Sequence, residues 1–259
     1  RQVNRLFCEK ACEQAQSGDI IWVHDYQLML LPKMLRDAKE GLNIGYFHHI
    51  PFPSYELFRI LPERADILNG LLGADMIAFH THGYMRHFVS TVERVMGLQF
   101  ELDKVLQGNR LIQVDSLPMG INYQMYHNAI ENPEVKKNAD RLRKEYGNYK
   151  LILSVDRLDY SKGIMHRLKG FERFLDDNPD FHEKVSLAMV VVPSRSNVVR
   201  YAKLKKNIDE SIGAINGRYS TLNWTPIHYF YHGLAFEELV ALYYIADIAL
   251  VSPLRDGMN

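Results

Sequence analysis

The sequence predicts an α/β protein built from two parallel sheets. Short apolar runs alternate along the chain with longer segments of helical pattern. Strands separated by helices of this length are typical of βαβ units, in which neighbouring strands lie parallel. The alternation stops at a polar stretch at about 122–147 and then restarts, which favours two sheets over one. Hydrophobic residues make up 47% of the chain, enough for a substantial core.

The strands and helices follow from these patterns in chain order. The first half has predicted strands at 20–24, 43–47, 75–79 and 110–117, and helices at 27–38, 63–72 and 82–96. The second half has predicted strands at 151–155, 185–192, 227–231 and 248–251, and helices at 163–177, about 195–214 and 236–245. We therefore expect one domain over 1–121, a helical linker region over 122–147 and a second domain over 148–259.

Composition excludes several classes of protein. Lys and Arg number 31, as do Asp and Glu, so the formal net charge is zero. This balance argues against a general nucleic-acid or membrane surface, although it leaves room for a local basic pocket. Cys8 and Cys12 lie four residues apart on a predicted helix, without zinc-ligand spacing, and favour a reducing cytosol over a disulfide framework. No apolar run approaches the roughly 20 residues of a membrane span.

The two ends of the sequence predict a fragment. The chain begins at Arg1 without an initiator Met, and no apolar core of a signal peptide follows. It stops at 253–259, directly behind the apolar run 248–251. Ligands of open α/β sheets bind outside the carboxyl ends of strands, where Gly257 would let the backbone approach a ligand and Asp256 would bind hydroxyls. We therefore expect an enzyme interrupted at its active site.

Two common nucleotide-binding motifs are missing from the sequence. It contains no G-x-G-x-x-G turn and no P-loop. A plain dehydrogenase or a P-loop kinase is therefore disfavoured.

Polar side chains follow two predicted strands of the first half. Asp25 comes directly after the strand at 20–24, where it would cap the next helix or face a ligand. His48 and His49 follow the second strand, and two prolines then form a rigid turn that holds His49 at the strand end. No carboxylate or Cys lies at ligand spacing from these histidines, so a metal site is disfavoured.

Two cations follow the first strand of the second half. Arg157 and Lys162 lie between that strand and a helix that begins near Gly163. Two cations beside a helix N-terminus form a natural pocket for a diphosphate. The alternative is a solvated surface pair neutralised by Asp156 and Asp159, and composition alone leaves it open.

Five blocks in one order resemble the signature blocks of the trehalose-6-phosphate synthases. They are His-Asp-Tyr-Gln-Leu at 24–28, His-Ile-Pro-Phe-Pro at 49–53, Arg-Leu-Asp-Tyr-Ser-Lys-Gly at 157–163, Asn-Gly-Arg-Tyr at 216–219 and Pro-Leu-Arg-Asp-Gly-Met-Asn at 253–259. The resemblance covers nearly the whole chain. The family's Gly-rich loop near the N-terminus and its Leu-Val-x-x-Glu stretch after the last block are not in the sequence.

The resemblance implies a retaining glucosyltransferase of the GT-B type, with two Rossmann-like parallel-sheet domains facing a cleft, both incomplete here. Such enzymes transfer glucose from UDP-glucose to glucose 6-phosphate and form α,α-trehalose 6-phosphate. The first domain would be the acceptor side and the second the nucleotide-sugar side. No metal or other cofactor is implied. The activity of the isolated chain is in doubt, because both domains lack strands.

Carried over by resemblance, the catalytic residues are His49, Arg157, Lys162 and Asp256. Arg157 and Lys162 would bind the donor diphosphate and stabilise the departing UDP. His49 would contact the donor glucose near its 6-hydroxyl. The carboxylate of Asp256 would hold the donor glucose hydroxyls.

The resemblance also implies substrate-binding residues. The backbone of Gly257, Met258 and Asn259 would assist with the donor glucose. Asp25 would contact the acceptor sugar, and Arg195 would reach the acceptor phosphate.

Three alternatives stay open. A related glucosyltransferase would use another phosphorylated acceptor, as in glucosylglycerol-phosphate synthesis. A regulatory, non-catalytic subunit of a trehalose synthase complex would be expected to lose the charged site residues, which are present here. A phosphorylase-type GT-B enzyme would need a lysine that binds pyridoxal phosphate, and nothing in the sequence marks such a lysine. The expected partners are the two small-molecule substrates in the cytoplasm, without nucleic acid or membrane. A homo-oligomer and a fused or associated trehalose-phosphatase also remain open.

Overall fold

The structure is a computed structural model that describes residues 1–147, 149–195 and 197–257. The chain divides into two compact units, 1–120 and 121–257. Each unit has its own sheet and its own hydrophobic core. No helix within the described ranges has the length and apolar character needed to cross a membrane.

The first unit contains a six-stranded sheet. Its strands are β1 (Ile20–His24), β2 (Asn43–His48), β3 (Met76–Phe79), β4 (Phe100–Glu101), β5 (Lys104–Gln107) and β6 (Arg110–Ser116). The spatial order is β1-β2-β3-β6-β5-β4. Strands β1, β2, β3 and β6 are parallel, whereas β5 is antiparallel to both β6 and β4. The parallel prediction therefore holds for four strands, and an unpredicted hairpin extends the sheet at one side.

Helices precede and connect the parallel strands of this unit. They are α1 (Gln2–Gln14), α2 (Leu31–Ala38), α3 (Tyr55–Phe58), α4 (Arg64–Leu71) and α5 (His82–Met96). The predicted bounds of α5 are confirmed, and its two caps explain them. The Thr81 hydroxyl accepts a hydrogen bond from the Tyr84 amide at 3.3 Å, and Gly97 ends the helix with φ 67°.

The Asp75 side chain links neighbouring elements at the amino ends of the parallel strands of this sheet. Its carboxylate accepts hydrogen bonds from the Ile44 amide at 2.8 Å, from Arg36 at 2.5 Å and from Arg110 at 3.3 Å. Burial alone would raise the pKa of Asp75, but these hydrogen bonds and the two positive charges outweigh it and lower the pKa. The carboxylate therefore joins three elements in its ionised form.

The second unit contains a four-stranded sheet in which every strand is parallel. Its strands are β7 (Lys150–Arg157), β8 (Val185–Val192), β9 (Ile227–Phe230) and β10 (Ile248–Ala249), in the order β10-β7-β8-β9. The predicted bounds of β8 are confirmed. Its apolar run at 187–192 is buried on both faces, because Leu187, Met189 and Val191 enter one core cluster while Ala188 and Val190 enter another.

Five helices cover this sheet: α6 (Tyr123–Ala129), α7 (Pro133–Tyr146), α8 (Ile164–Asp177), α9 (Val199–Tyr219) and α10 (Phe236–Ile245), counted over the described ranges. The bounds of α10 are as predicted, whereas α9 begins and ends later than predicted. The segment 122–147, predicted as a linker, forms α6 and α7. Val135, Ala139 and Leu142 of α7 pack in one cluster with β7, β8 and α10, so this segment contributes to the core of the second unit.

Candidate functional site

The carboxyl ends of three neighbouring parallel strands bring polar residues together in the first unit. Strand β1 ends at His24 and is followed by Asp25, and β2 ends at His48 and is followed by His49. His80 follows β3. Because parallel strands place their carboxyl ends at one edge, these residues share that edge of the sheet.

Asp25 is held in an unusual backbone conformation at this edge. Its φ is 70° and its ψ 168°, a region that non-glycine residues rarely adopt. Its side chain makes no capping bond to the 3-10 turn that follows, so the helix-cap interpretation is wrong. The carboxylate instead accepts a hydrogen bond from the His49 amide at 3.3 Å. Asp25 and His49, both predicted site residues, are therefore in direct contact.

The His49 side chain is bound to a second histidine. Nδ1 of His24 lies 2.8 Å from Nε2 of His49, and the two ring planes differ by 23°. Burial lowers the pKa of His24, and the neighbouring His49 lowers it further. His24 belongs to a block that carried the resemblance, but no role was predicted for it.

His48 faces the interior, unlike His49. It is 1% exposed, and its Nδ1 is hydrogen-bonded to the Tyr46 hydroxyl at 2.9 Å. Burial lowers the pKa of His48 to about 4, so this side chain is neutral near neutral pH. The structure therefore separates the two adjacent histidines into one core residue and one residue of the site edge.

The second sheet presents cations at its carboxyl edge. Arg157 is the last residue of β7, and its side chain is exposed. It forms no ion pair with any other residue that the structure describes. Lys162 ends the 3-10 turn that follows, and it is buried. The alternative of a surface pair neutralised by Asp156 and Asp159 does not fit, because those carboxylates bind other groups.

Lys162 forms an ion pair with Asp256, 94 residues later in the sequence. The loop that carries Asp256 packs directly on the turn that carries Lys162. The Leu254 amide donates to the Ser161 carbonyl at 2.7 Å. Gly163 has φ 66°, and a Cβ at this position would lie only 2.5 Å from the Ser252 carbonyl oxygen, so only glycine fits here.

A buried ion pair stabilises the carboxyl edge of the second sheet. Arg167 of α8 donates to the carboxylate of Asp156 at 2.5 Å, and their side chains are 1% and 8% exposed. Arg167 also donates to the hydroxyl of Ser252 at 3.0 Å and to the carbonyl of Lys162 at 3.2 Å. It further binds the hydroxyl of Ser154. One guanidinium thus joins strand β7, the turn after it and the loop before Asp256.

Arg195 lies just beyond the end of β8, the strand beside β7. It donates to the hydroxyl of Tyr201 at 2.8 Å, and that hydroxyl donates to Asp159 at 2.9 Å. Burial alone would raise the pKa of Asp159, but hydrogen bonds from the Ser161 amide and from Tyr201 outweigh it and lower the pKa. Tyr201 therefore links the Arg195 segment to the turn between Arg157 and Lys162, a role that the sequence analysis missed.

The predicted residues thus form one group in each unit. Asp25 and His49 meet at the edge of the first sheet. In the second unit Lys162 and Asp256 meet, Gly257 follows Asp256, and Arg157 and Arg195 lie at or just beyond the ends of the neighbouring strands β7 and β8. Met258 and Asn259 lie outside the described residues. Among the described residues, no three or more His, Cys, Asp or Glu side chains are grouped so that they could hold a metal ion.

The likeness to solved trehalose-phosphate synthase structures, with TM-scores of 0.92 and 0.93, places these two α/β units in the GT-B fold class. The chain belongs to glycosyltransferase family 20, whose model matches residues 1–259. A UDP-forming α,α-trehalose-phosphate synthase of Pichia angusta is 44% identical over all of this chain and 56% of its own length. A bifunctional trehalose-6-phosphate synthase/phosphatase of Thermoproteus tenax is 42% identical over all of this chain and 36% of its own length.

Solved structures agree with the family. An E. coli trehalose-6-phosphate protein bound with UDP-2-fluoro glucose has a TM-score of 0.93 and 32% identity over 100% of this chain and 57% of its own. A Burkholderia xenovorans α,α-trehalose-phosphate synthase in complex with glucose-6-phosphate has a TM-score of 0.92 and 30% identity. The match covers 100% of this chain and 58% of that one. The N-terminal domain of a Candida albicans trehalose-6-phosphate phosphatase has a TM-score of 0.91 and 40% identity. The match covers 100% of this chain and 55% of that one. The chain thus spans about half the length of most of these relatives.

Proposed function

We propose that the protein is a retaining glucosyltransferase that transfers glucose from UDP-glucose to glucose 6-phosphate and releases UDP and α,α-trehalose 6-phosphate. The names of its relatives and the ligands of its structural neighbours support this reaction. The observation that carries the proposal is the cationic edge of the second sheet. There an exposed Arg157 and a buried, oriented Lys162 flank one strand–helix turn.

The charges suit the departure of a diphosphate. Glycosyl transfer with retention builds positive charge on the sugar and negative charge on the leaving group. Cations that are already in place stabilise the negative charge without reorganisation at the moment of reaction. Arg157 supplies a guanidinium with no competing carboxylate among the described residues. Lys162 supplies an ammonium that Asp256 holds in position.

The remaining residues would bind the two sugars. Asp256 and the backbone from Gly257 onward would hold the donor glucose hydroxyls, and His49 would contact the donor near its 6-hydroxyl. Asp25 would bind the acceptor sugar, and Arg195 its phosphate. The first domain would then serve the acceptor and the second the nucleotide sugar.

Retention by two successive inversions would need a carboxylate nucleophile close to the anomeric carbon. The family resemblance assigns no such nucleophile and gives Asp25 to the acceptor sugar. We therefore favour a same-face mechanism, in which the departing diphosphate and the entering hydroxyl occupy one face of the sugar. Arg157 and Lys162 would take the place of a divalent metal in this mechanism.

The cellular setting is part of the proposal. We infer a cytoplasmic enzyme with small-molecule substrates, without nucleic-acid or membrane partners, and open to homo-oligomer formation. The Thermoproteus tenax relative joins a synthase and a phosphatase, which supports a fused or associated trehalose-phosphatase. The Candida albicans neighbour is the N-terminal domain of a trehalose-6-phosphate phosphatase, so a role within a phosphatase, without glucosyl transfer, is the competing function.

The test is steady-state release of UDP from UDP-glucose and glucose 6-phosphate, with the protein expressed from its complete reading frame. Arg157→Ala and Lys162→Ala should each lower kcat by roughly a hundredfold, the scale seen when one preorganised stabilising group is lost. The double variant should be less than additive, because both cations serve one charge. The matched control is Arg173→Ala, because this arginine of the same unit is 75% exposed and pairs with Asp177 on its own helix.

Other outcomes assign a different function. Near-normal kcat in both single variants would reduce the cations to a surface pair. Loss of activity with EDTA that a divalent ion restores would identify a metal in place of the cations. Absence of transfer in the unaltered protein would favour the non-catalytic role, and transfer only to another sugar phosphate or polyol phosphate would change the acceptor.

A further inference from the structure

A row of aromatic rings crosses the carboxyl ends of β1, β2 and β3. Trp22, His24, His49 and His80 follow one another with ring-centre separations of 4.7, 5.1 and 5.6 Å. The ring of Phe47, which is 3% exposed, lies within 4.8–6.5 Å of all four. This packing restricts the orientation of each ring in the row.

The contact within the row that can control chemistry joins His24 and His49. Their nitrogens Nδ1 and Nε2 are 2.8 Å apart, and the nearly coplanar rings direct one N–H at the other ring's lone pair. Only one proton fits between the two nitrogens, so one ring donates and the other accepts. The pair therefore cannot carry two positive charges, and the tautomer of one ring determines that of the other.

We propose that His24 is a positioning residue that keeps His49 as a hydrogen-bond acceptor for a sugar hydroxyl. In this arrangement Nε2–H of His49 donates to Nδ1 of His24, and Nδ1 of His49 keeps its lone pair. That nitrogen makes no hydrogen bond within the described part of the chain, so it is available to a ligand. The inference rests on the proposed function, because it assigns the chemistry that His49 presents to the donor glucose.

The surroundings of the pair favour a neutral His24. Burial and the neighbouring His49 lower the pKa of His24, while the Asp25 carboxylate raises it and is outweighed. The other titratable groups near the pair are His80, whose ring centre lies 5.6 Å from that of His49, and the buried His48, which interacts electrostatically with His49 and whose pKa burial lowers to about 4. A neutral His24 keeps its Nδ1 lone pair for His49.

Acid reverses this arrangement. When His24 gains a proton at Nδ1, it must donate to Nε2 of His49. The remaining proton of His49 then lies on Nδ1, and the acceptor for the sugar hydroxyl is lost. Since the pKa of His24 is lowered from its ordinary value of 6.5, this loss occurs on the acid side of neutrality.

The first experiment reads the tautomers directly in the 259-residue chain. Long-range ¹H–¹⁵N spectra of the imidazoles above neutral pH should show His49 protonated at Nε2 and His24 unprotonated at Nδ1. His24→Phe keeps a ring in the row and removes the acceptor, so His49 should become a mixture of tautomers. In His24→Asn the amide oxygen can replace Nδ1, so His49 should stay protonated at Nε2. The matched control is His232→Phe in the other unit, where Nδ1 contacts the carbonyl of the next residue, Gly233.

The second experiment measures transfer by the protein expressed from its complete reading frame. His24→Phe should lower kcat roughly tenfold with little change in KM for UDP-glucose, because the misplaced group acts in the reaction itself. His24→Asn should restore most of kcat and move the acid limb of the kcat profile, since the titrating ring is gone. His232→Phe should match the unaltered protein.

The two experiments separate failure of this inference from failure of the proposed function. If no variant and no unaltered protein transfers glucose, the function is wrong while the tautomer spectra still decide the pairing. If transfer is normal and His49 has the same tautomer in His24→Phe as in the unaltered chain, His24 does not position His49. Equal loss of kcat in His24→Phe and His24→Asn would also overturn the inference, because the acceptor would not matter.

Discussion

Replacing Arg167 by Met should strongly destabilise the second unit. The substitution keeps an unbranched side chain of similar length but removes the guanidinium that pairs with Asp156. Both side chains are nearly inaccessible to water, with exposed fractions of 1% and 8%. The variant would therefore leave a buried carboxylate with no positive partner in this part of the structure.

The expected loss of unfolding free energy follows from the burial of the Arg167–Asp156 ion pair. Removing one partner of a buried ion pair typically costs about 3–5 kcal/mol of unfolding free energy, since the other charge is left uncompensated. Arg167 also binds Ser154, Ser252 and the Lys162 carbonyl, which favours the upper part of that range. Arg173 on the same helix pairs with an exposed Asp177, and such i,i+4 surface pairs contribute only about 0.3–0.5 kcal/mol.

Urea unfolding can resolve this difference because the chain has two tryptophans, one in each unit. Trp224 is buried in the second unit, while Trp22 is exposed in the first. In a Trp22→Phe background, the emission of Trp224 reports the second unit alone. With a urea dependence of about 2 kcal/mol per molar, a loss of about 4 kcal/mol lowers the midpoint by about 2 M.

The urea midpoints of two methionine variants test whether the buried charge of Asp156 causes the loss of stability. Equal midpoints for Arg167→Met and Arg173→Met would mean that the carboxylate of Asp156 is not left buried and charged. A double variant, Asp156→Leu with Arg167→Met, should recover part of the lost stability, because it removes both charges together. A double variant no more stable than Arg167→Met would place the loss in packing rather than in charge.

Two further predictions concern backbone and pH. Gly163→Ala should destabilise the second unit by roughly 2–4 kcal/mol, because the left-handed backbone disfavours Ala and its Cβ meets the Ser252 carbonyl. Gly97→Ala has almost the same φ and open space around the Cβ, so its loss of about 1–2 kcal/mol in the first unit measures the backbone part alone. Asp75 has a lowered pKa, so its contribution to stability is present above the ordinary value of 3.8 and is lost as pH falls through the folded-state pKa. Acid unfolding of the first unit should therefore be less pH-dependent in Asp75→Asn, and an unchanged acid transition would contradict this.

The sequence predicted those elements whose boundaries local chemistry determines. Thr81 and Gly97 cap α5, and the apolar run 187–192 of β8 belongs to a strand buried on both faces. The hairpin of β4 and β5 was missed because its strands have only two and four residues and include charged side chains. Pairing with β6 stabilises it, and that contact has no local sequence signal.

The sequence predicted which segments carry the candidate site residues. It did not predict which of their side chains contact each other. Two adjacent histidines look alike in the sequence, yet strand alternation places His48 in the core and His49 at the edge. Lys162 meets Asp256 through a loop that arrives from 94 residues away. Tyr201 lies on a helix where an aromatic residue normally indicates packing, so its role between Asp159 and Arg195 gave no separate signal.

The 252–256 loop docks on the turn that ends at Lys162. Because of this docking, folding of the second unit and anion binding at the candidate site are thermodynamically coupled. The contacts that hold the loop in place also stabilise the second unit, so the site is ordered before any ligand arrives. An anion that binds only to this ordered site must raise the unfolding free energy of the second unit by mass action. Its affinity can therefore be read from the emission of Trp224 during unfolding, with the first unit as an internal reference. Substitutions that loosen the loop should weaken such binding by the same free energy that they cost in local order.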